Sequence, residues 1–208
     1  GFRDDRMTDP VTDPRAAAAQ GIRELAAWAA TTPLSGIPAK VLERSARVLA
    51  DDLSAIVGAR DEPEVAAFHQ RTLARAREQE ATVFRGGRAR TDCISAAVAN
   101  AVAADWLELD EGYRVTPCHA GLYVLPALLA AAETRNLAFG DLLRALVIGY
   151  ELVTRVARGW EPRAMTMQSH GRYSAIGAAA GVSLSRGKSA AELTDAISAA
   201  VTLTGPSP

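Results

Sequence analysis

Between Ala103 and Ala120 the chain reads AADWLELDEGYRVTPCHA, and this stretch holds most of what could move a proton. Asp105, Glu108, Asp110 and Glu111 crowd the predicted end of a helix whose upstream part carries Asp92. Arg114 follows, and Cys118 and His119 then open a strongly apolar segment. His170 stands at a second predicted helix start, beside Ser169. A helix N-terminus offers free N–H groups and the positive end of the dipole. It attracts carboxylates and disfavours the imidazolium, so a neutral histidine there is a usable base near pH 7. Acids at a helix C-terminus oppose the dipole, so stability alone would not choose them. Glu108 and Asp110 therefore read, with His119 and His170, as catalytic candidates: acid, base or orienter of a histidine. Arg114 and Arg172 read as clamps for a substrate carboxylate, which a guanidinium matches with two parallel hydrogen bonds. Glu111 and Tyr113 complete the candidate substrate-binding set. The remaining histidine, His69, lies in the middle of an ordinary amphipathic helix and reads as structural or exposed.

Other chemistries fit less well. Cys118 beside His119 suggests a thiol nucleophile, but adjacent side chains rarely aim at each other. Cys93, Cys118, His119 and His170 lack any usual zinc-ligand spacing, so no metal is expected. RGGR at Arg85–Arg88 is no phosphate loop, because no Lys-Ser/Thr follows and no strand–loop–helix signature surrounds it. A plain turn is the better reading.

The elements that must position these residues are nearly all helical. Gly1–Arg15 is polar, with two Asp-Pro pairs, and reads as a disordered lead in which Met7 offers a natural start. Residues 16–208 read as one compact, multi-helix, all-α domain. Helices are expected over Ala16–Ala30, from Pro38 to about Val57, and from Asp61–Pro63 to about Glu80. ATVF at 81–84 is the single strand-like stretch. Further helices follow from a cap at Thr91 or Asp92 to about Leu109, over His119–Thr134 and over Ala138–Gly159. After a loop at Glu161–Gln168, Ser169 is expected to cap a Gly/Ala-rich helix to about Ser185. Ser189 and Glu192 form a capping box for the last helix, to about Leu203. No helix–strand alternation supports a parallel sheet.

Composition removes several classes. The 208 residues are 49% hydrophobic and carry a net charge of -1, so no basic field exists for nucleic acid. Aromatic residues are only 5%, too few for a single-strand stacking surface. The longest apolar run, Val124–Ala132, is far short of a membrane span. Two cysteines make no disulfide framework, and a cytoplasmic protein with no membrane partner is expected.

Three stretches resemble the MmgE/PrpD family, which includes 2-methylcitrate dehydratase and cis-aconitate decarboxylase. LADDLSAIVGA at Leu49–Ala59 is similar to an early family helix. NAVAADWLELDEG at Asn100–Gly112, followed by CHAGLYVLPALLAAAE at Cys118–Glu133, resembles an acid-rich motif and the helix after it. LLRALVIGYELVTRV at Leu142–Val156 and SHGRYSAIGAAAG at Ser169–Gly181 are the third. The resemblance implies a helical domain that holds part of an active site, completed by a second α+β domain not contained in these residues. It implies no metal and no organic cofactor. It also implies proton removal next to a carboxylate, followed by loss of water or carbon dioxide or by reprotonation. By position, His119 and His170 match the family's two active-site histidines, and Glu108, Asp110 and Glu111 its acids. The family's histidine ahead of the acids is Asp105 here, its first aspartate is Glu108, and its threonine is Gly112. These departures favour a divergent substrate.

The expectation is thus a subunit or half of a cofactor-independent lyase or isomerase acting on a small carboxylate-bearing molecule. The missing half is expected from a second polypeptide in a heteromeric complex, with a homo-oligomer as a further possibility. The competing expectation is a non-catalytic helical partner that stabilises or regulates a full-length relative.

Overall fold

A computed structural model describes residues 13–160 and 169–204. Eight helices are described among these residues: α1 Pro14–Thr31, α2 Ala39–Gly58, α3 Pro63–Ala74, α4 Cys93–Trp106, α5 Ala120–Arg135, α6 Phe139–Gly159, α7 Ser169–Ser185 and α8 Ala190–Leu203. Two short strands, β1 Ala81–Thr82 and β2 Arg90–Thr91, pair antiparallel. The expected all-α domain is what forms. The expected loop at 161–168 lies outside the described residues, as does most of the expected lead. Asp13 caps α1 through Arg15 N–H, with Pro14 as the first helical residue, so α1 begins inside the last residues of that lead.

The core is built around α5. It is apolar on every side, and Ala120–Pro126 and Leu128–Ala132 are all buried, as expected of a helix surrounded by other helices. α4, α6 and α7 pack directly on it, α2 covers its start, and α8 backs α7. Small residues set how closely α7 approaches. A Cβ on Gly177 would stand 2.6 Å from the Tyr123 carbonyl oxygen, so only glycine allows α7 to touch the backbone of α5 there.

Three boundaries differ from the sequence expectation. α3 stops at Ala74 rather than near Glu80. Beyond Leu73 the stretch ARAREQE offers no large apolar anchor, and the Glu80 N–H instead bonds the Thr91 carbonyl in the hairpin. The strand is two residues long because Gly86 and Gly87 turn the chain at φ 105° and 67°. Glu133 of α5 holds this hairpin by accepting from Thr82 N–H and Oγ1, and Asn100 of α4 bonds Phe84 N–H and the Thr82 carbonyl. Finally, α4 ends at Trp106, and Glu108 sits outside it in the left-handed region at φ 51°. Glu108, Asp110 and Glu111 are therefore loop residues; Asp105 alone of the four acids lies in the helix.

No helix among the described residues is long and apolar enough to cross a membrane. His69 is fully buried with its Nε2 3.1 Å from the Ala99 carbonyl, a structural role. The Ser189–Glu192 capping box forms as expected.

Candidate functional site

The loop between α4 and α5 folds back on itself. Tyr113 N–H donates to the Cys118 carbonyl at 2.8 Å, closing a six-residue turn that delivers His119 to the start of α5. His119 is the N-cap residue of α5, but its ring makes no capping bond. Its Nδ1 lies 2.7 Å from Asp110 Oδ2, whose side chain is fully buried. This overturns one sequence argument. The helix start was expected to keep His119 uncharged, yet its pKa is raised above the ordinary histidine value. The Asp110 hydrogen bond is the largest cause, opposed by partial burial and reinforced by the Asp110 and Glu111 charges.

His170 enters from the first turn of α7, and its ring centroid lies 4.8 Å from that of His119. Its Nδ1 is 3.0 Å from Tyr123 Oη, one turn along α5 from His119. Tyr123 Oη also bonds Ser169 Oγ at 2.8 Å. Ser169 is the first described residue of α7, and its hydroxyl bonds Tyr123. On its other side, His170 Nε2 lies 2.9 Å from Asp105 Oδ1, a close contact that falls short of an aligned hydrogen bond. Each histidine therefore has its own carboxylate, and the rings meet between them.

Glu108 is exposed, but one carboxylate oxygen each from Glu108 and Asp105 and one ring nitrogen of His170 lie within 4.8 Å of one another. Such spacing suits a divalent cation geometrically, although exposed acids commonly gather this way without one. Glu111 faces elsewhere. Its Oε1 accepts from Gly121 N–H at 2.6 Å and its Oε2 from Tyr150 Oη at 3.0 Å. Burial raises its pKa, and those two donors partly offset the rise. Tyr113 lies edge-on to Tyr150 at 6.4 Å, and exposed Arg114 borders a cavity of about 730 Å³ with Lys40, Arg44, Glu111 and Tyr150. Arg172 is buried, its guanidinium 5.0 Å over the Trp160 ring. Two residues apart on a helix point away from each other, so Arg172 and His170 leave α7 on different faces. The structure thus brings together His119, His170, Asp110 and Glu108, and sets Glu111 and Arg114 on the larger cavity, with Tyr113 packed against its lining residue Tyr150.

A second cavity, of about 440 Å³, lies between α4, α5 and α7. Its walls are apolar, including Val98, Ala101 and Pro126, and its polar end is Asp105, Tyr123 and His170. An apolar cleft with a few convergent polar groups is the usual form of a small-molecule site. Cys118 contributes nothing nucleophilic here: burial pushes its thiol up to about 12, so no thiolate forms near neutrality.

Sequence reasoning missed three participants. Tyr123 and Tyr150 hid among apolar helix positions. Asp52 hid in α2, although it falls on the buried stripe with Leu49 and Ile56, where a carboxylate is out of place. It is 1% exposed, and burial together with the Glu111 charge raises its pKa to about 8.

A family model described as the MmgE/PrpD N-terminal domain matches residues 23–207. The chain is similar to the cis-aconitate decarboxylase of Aspergillus terreus, with 28% identity over 141 residues, covering 65% of this chain and 28% of the relative. It is also similar to the cis-aconitate decarboxylase-like protein oryM of Aspergillus oryzae, with 31% identity over 158 residues, covering 66% of this chain and 32% of the relative. The chain thus spans about a third or less of the length of these relatives.

Proposed function

This chain belongs to the MmgE/PrpD family, and on that footing we propose that it carries the acid–base half of a cofactor-independent lyase or isomerase active on a small carboxylate-bearing molecule. The observation that carries the reading is the meeting of His119 and His170 at 4.8 Å, each with its own aspartate. In this proposal His119 takes the proton next to the substrate carboxylate. Asp110 orients the ring and stabilises the imidazolium that results, as a buried carboxylate does for a catalytic histidine. His170, steadied by Tyr123 and Asp105, returns a proton to the leaving hydroxyl or to carbon. The relatives' names point to decarboxylation of cis-aconitate, in which carbon dioxide departs and a histidine gives a proton to the carbon it leaves; dehydration or epimerisation would begin instead with the proton transfer to His119. Asp105, Glu108 and Gly112 alter the surroundings of that step, which suits a substrate different from theirs.

We further propose that polypeptide outside these residues closes the site. The two histidines keep 27% and 19% of their side chains exposed beside an open cleft, and proton abstraction next to a carboxylate needs donors for the developing charge. Arg114 and Arg172 are proposed to contribute to that charge balance, the first directly at the loop.

The test is solvent-deuterium exchange into cis-aconitate, citrate-like hydroxyacids and related small carboxylates by the complete assembly purified from its host. Exchange is expected, and His119→Ala or His170→Ala should each cut it by about 100-fold or more. Exchange unaffected by either substitution would favour the non-catalytic helical partner instead.

A further inference from the structure

We propose that Asp52 is a positioning residue for the His119–Asp110 pair: from the core face of α2 it holds the Glu111 peptide in the place that lets Asp110 meet His119. This rests on the reading of His119 given above. The loop carrying Asp110 is tied down one residue later, at Glu111, by three helices. From α2, Asp52 Oδ1 accepts the Glu111 N–H in a long bond of 3.4 Å. From α5, Gly121 N–H donates to Glu111 Oε1, and from α6, Tyr150 Oη donates to Glu111 Oε2. The neighbouring Asp110 then lies buried against His119 Nδ1, and the Glu111 backbone also faces that ring and favours its protonated form.

The fit around Asp52 is tight. A Cβ on Gly121 would fall 2.6 Å from Asp52 Oδ2 and 3.1 Å from Glu111 Cγ, so the bare backbone of α5 leaves just the space that the two acids fill. Asp52 Oδ2 is buried and has no hydrogen-bond partner. The groups facing Asp52 are Asp51 on its own helix, Asp110 and Glu111 on the loop, and Tyr150 on α6. An apolar residue would cover α5 without bringing a carboxyl into the core beside other acids. What an aspartate adds is one acceptor directed at the Glu111 N–H. Asparagine keeps the same acceptor, whereas alanine removes it, so the pair isolates the positioning contact.

The experiment follows the ring signals of His119 and His170 against pH by NMR in the full 208-residue chain, with histidine labelled. Asp52→Asn should leave the His119 midpoint where it is in the unaltered chain. Asp52→Ala should drop that midpoint toward the ordinary histidine value while His170 keeps its own. Asp52→Val, closer to aspartate in volume, carries the same expectation if the alanine variant does not fold. A folded alanine or valine variant with an unshifted His119 midpoint overturns the proposal. So does an asparagine variant whose midpoint falls. Because the readout is a titration and not turnover, this result stands apart from the exchange assay. In the complete assembly the alanine variant is expected to lose about tenfold or more in kcat with little change in KM, and asparagine is expected to restore it.

Discussion

Replacing Asp52 by asparagine should stabilise the protein at neutral pH and leave it nearly unchanged in acid. The folded chain raises this carboxyl from 3.8 to about 8, chiefly by burying it. In the unfolded chain Asp52 titrates near its ordinary value. Between those two values the folded state keeps a proton that the unfolded state has released, so stability is full below the ordinary pKa and drains as pH rises through about 8. Each pH unit in that window costs about 1.4 kcal/mol. From about pH 4.5 to about pH 7.5 the unaltered protein should therefore lose up to about 4 kcal/mol that an asparagine at 52 never loses. This is a ceiling, since a small rearrangement that admits water to Oδ2 would reduce it. Glu111, whose charge adds to the rise at Asp52, is present in both proteins. The assay is urea unfolding of both proteins at several pH values across the window. Two stability curves that run parallel from acid to neutral would refute the reasoning, because Asp52 would then be ionised in the fold.

Asp110→Asn should lower the His119 pKa, since the Asp110 hydrogen bond is the main cause of its elevation. In the complete assembly the limb of the pH–rate profile that reports the base should move to lower pH, and kcat should fall by about 100-fold. The sign for stability is opposite to that of an ordinary carboxylate. The His119 contribution is full below the unfolded histidine value and vanishes as pH rises through the folded one, so Asp110→Asn should cost most in acid. Gly177→Ala would press a Cβ to 2.6 Å from Tyr123 backbone atoms, where nothing flexible can yield, and should cost about 1–3 kcal/mol in thermal or urea unfolding. Gly21→Ala in α1 meets nothing within 4 Å and should instead gain about 0.5–1 kcal/mol.

The helices were legible where apolar period and punctuation agreed. Pro38, Gly58 and the Ser189–Glu192 box mark ends that form as ends, because each acts on the backbone locally. The errors fell where a tertiary partner decided. Nothing in RTLARAREQE breaks a helix, yet α3 stops at Ala74, because Glu80 is claimed by the hairpin and the last six residues offer nothing to bury. WLELDEG likewise lacks a strong breaker until Gly112, but the turn that joins Tyr113 to Cys118 draws the chain off the helix before Glu108.

The site was half legible for a similar reason. His119, His170 and Asp110 announced themselves through residue type and place, since a histidine at a helix start beside clustered acids is open to inspection in one dimension. Which acid serves which histidine was not. Asp105 lies fourteen residues before His119, and His170 a further fifty-one along, so only the approach of α7 to α5 gives Asp105 to His170 and leaves Asp110 for His119. That approach depends in turn on Gly177, a residue with no chemistry of its own. Arg172, which reads in sequence as a substrate clamp, is buried with its guanidinium over the Trp160 ring, a placement that sequence does not reveal. Asp52 was missed although its signal was present: a carboxylate three residues after Leu49 and four before Ile56 interrupts an apolar stripe. An ionisable side chain placed on the buried face of a helix is costly enough that it needs a reason, and here the reason lies fifty-nine residues away, at Glu111. Acids that break the apolar period, more than acids that gather in loops, are therefore the positions from which the hidden half of such a site can be reasoned.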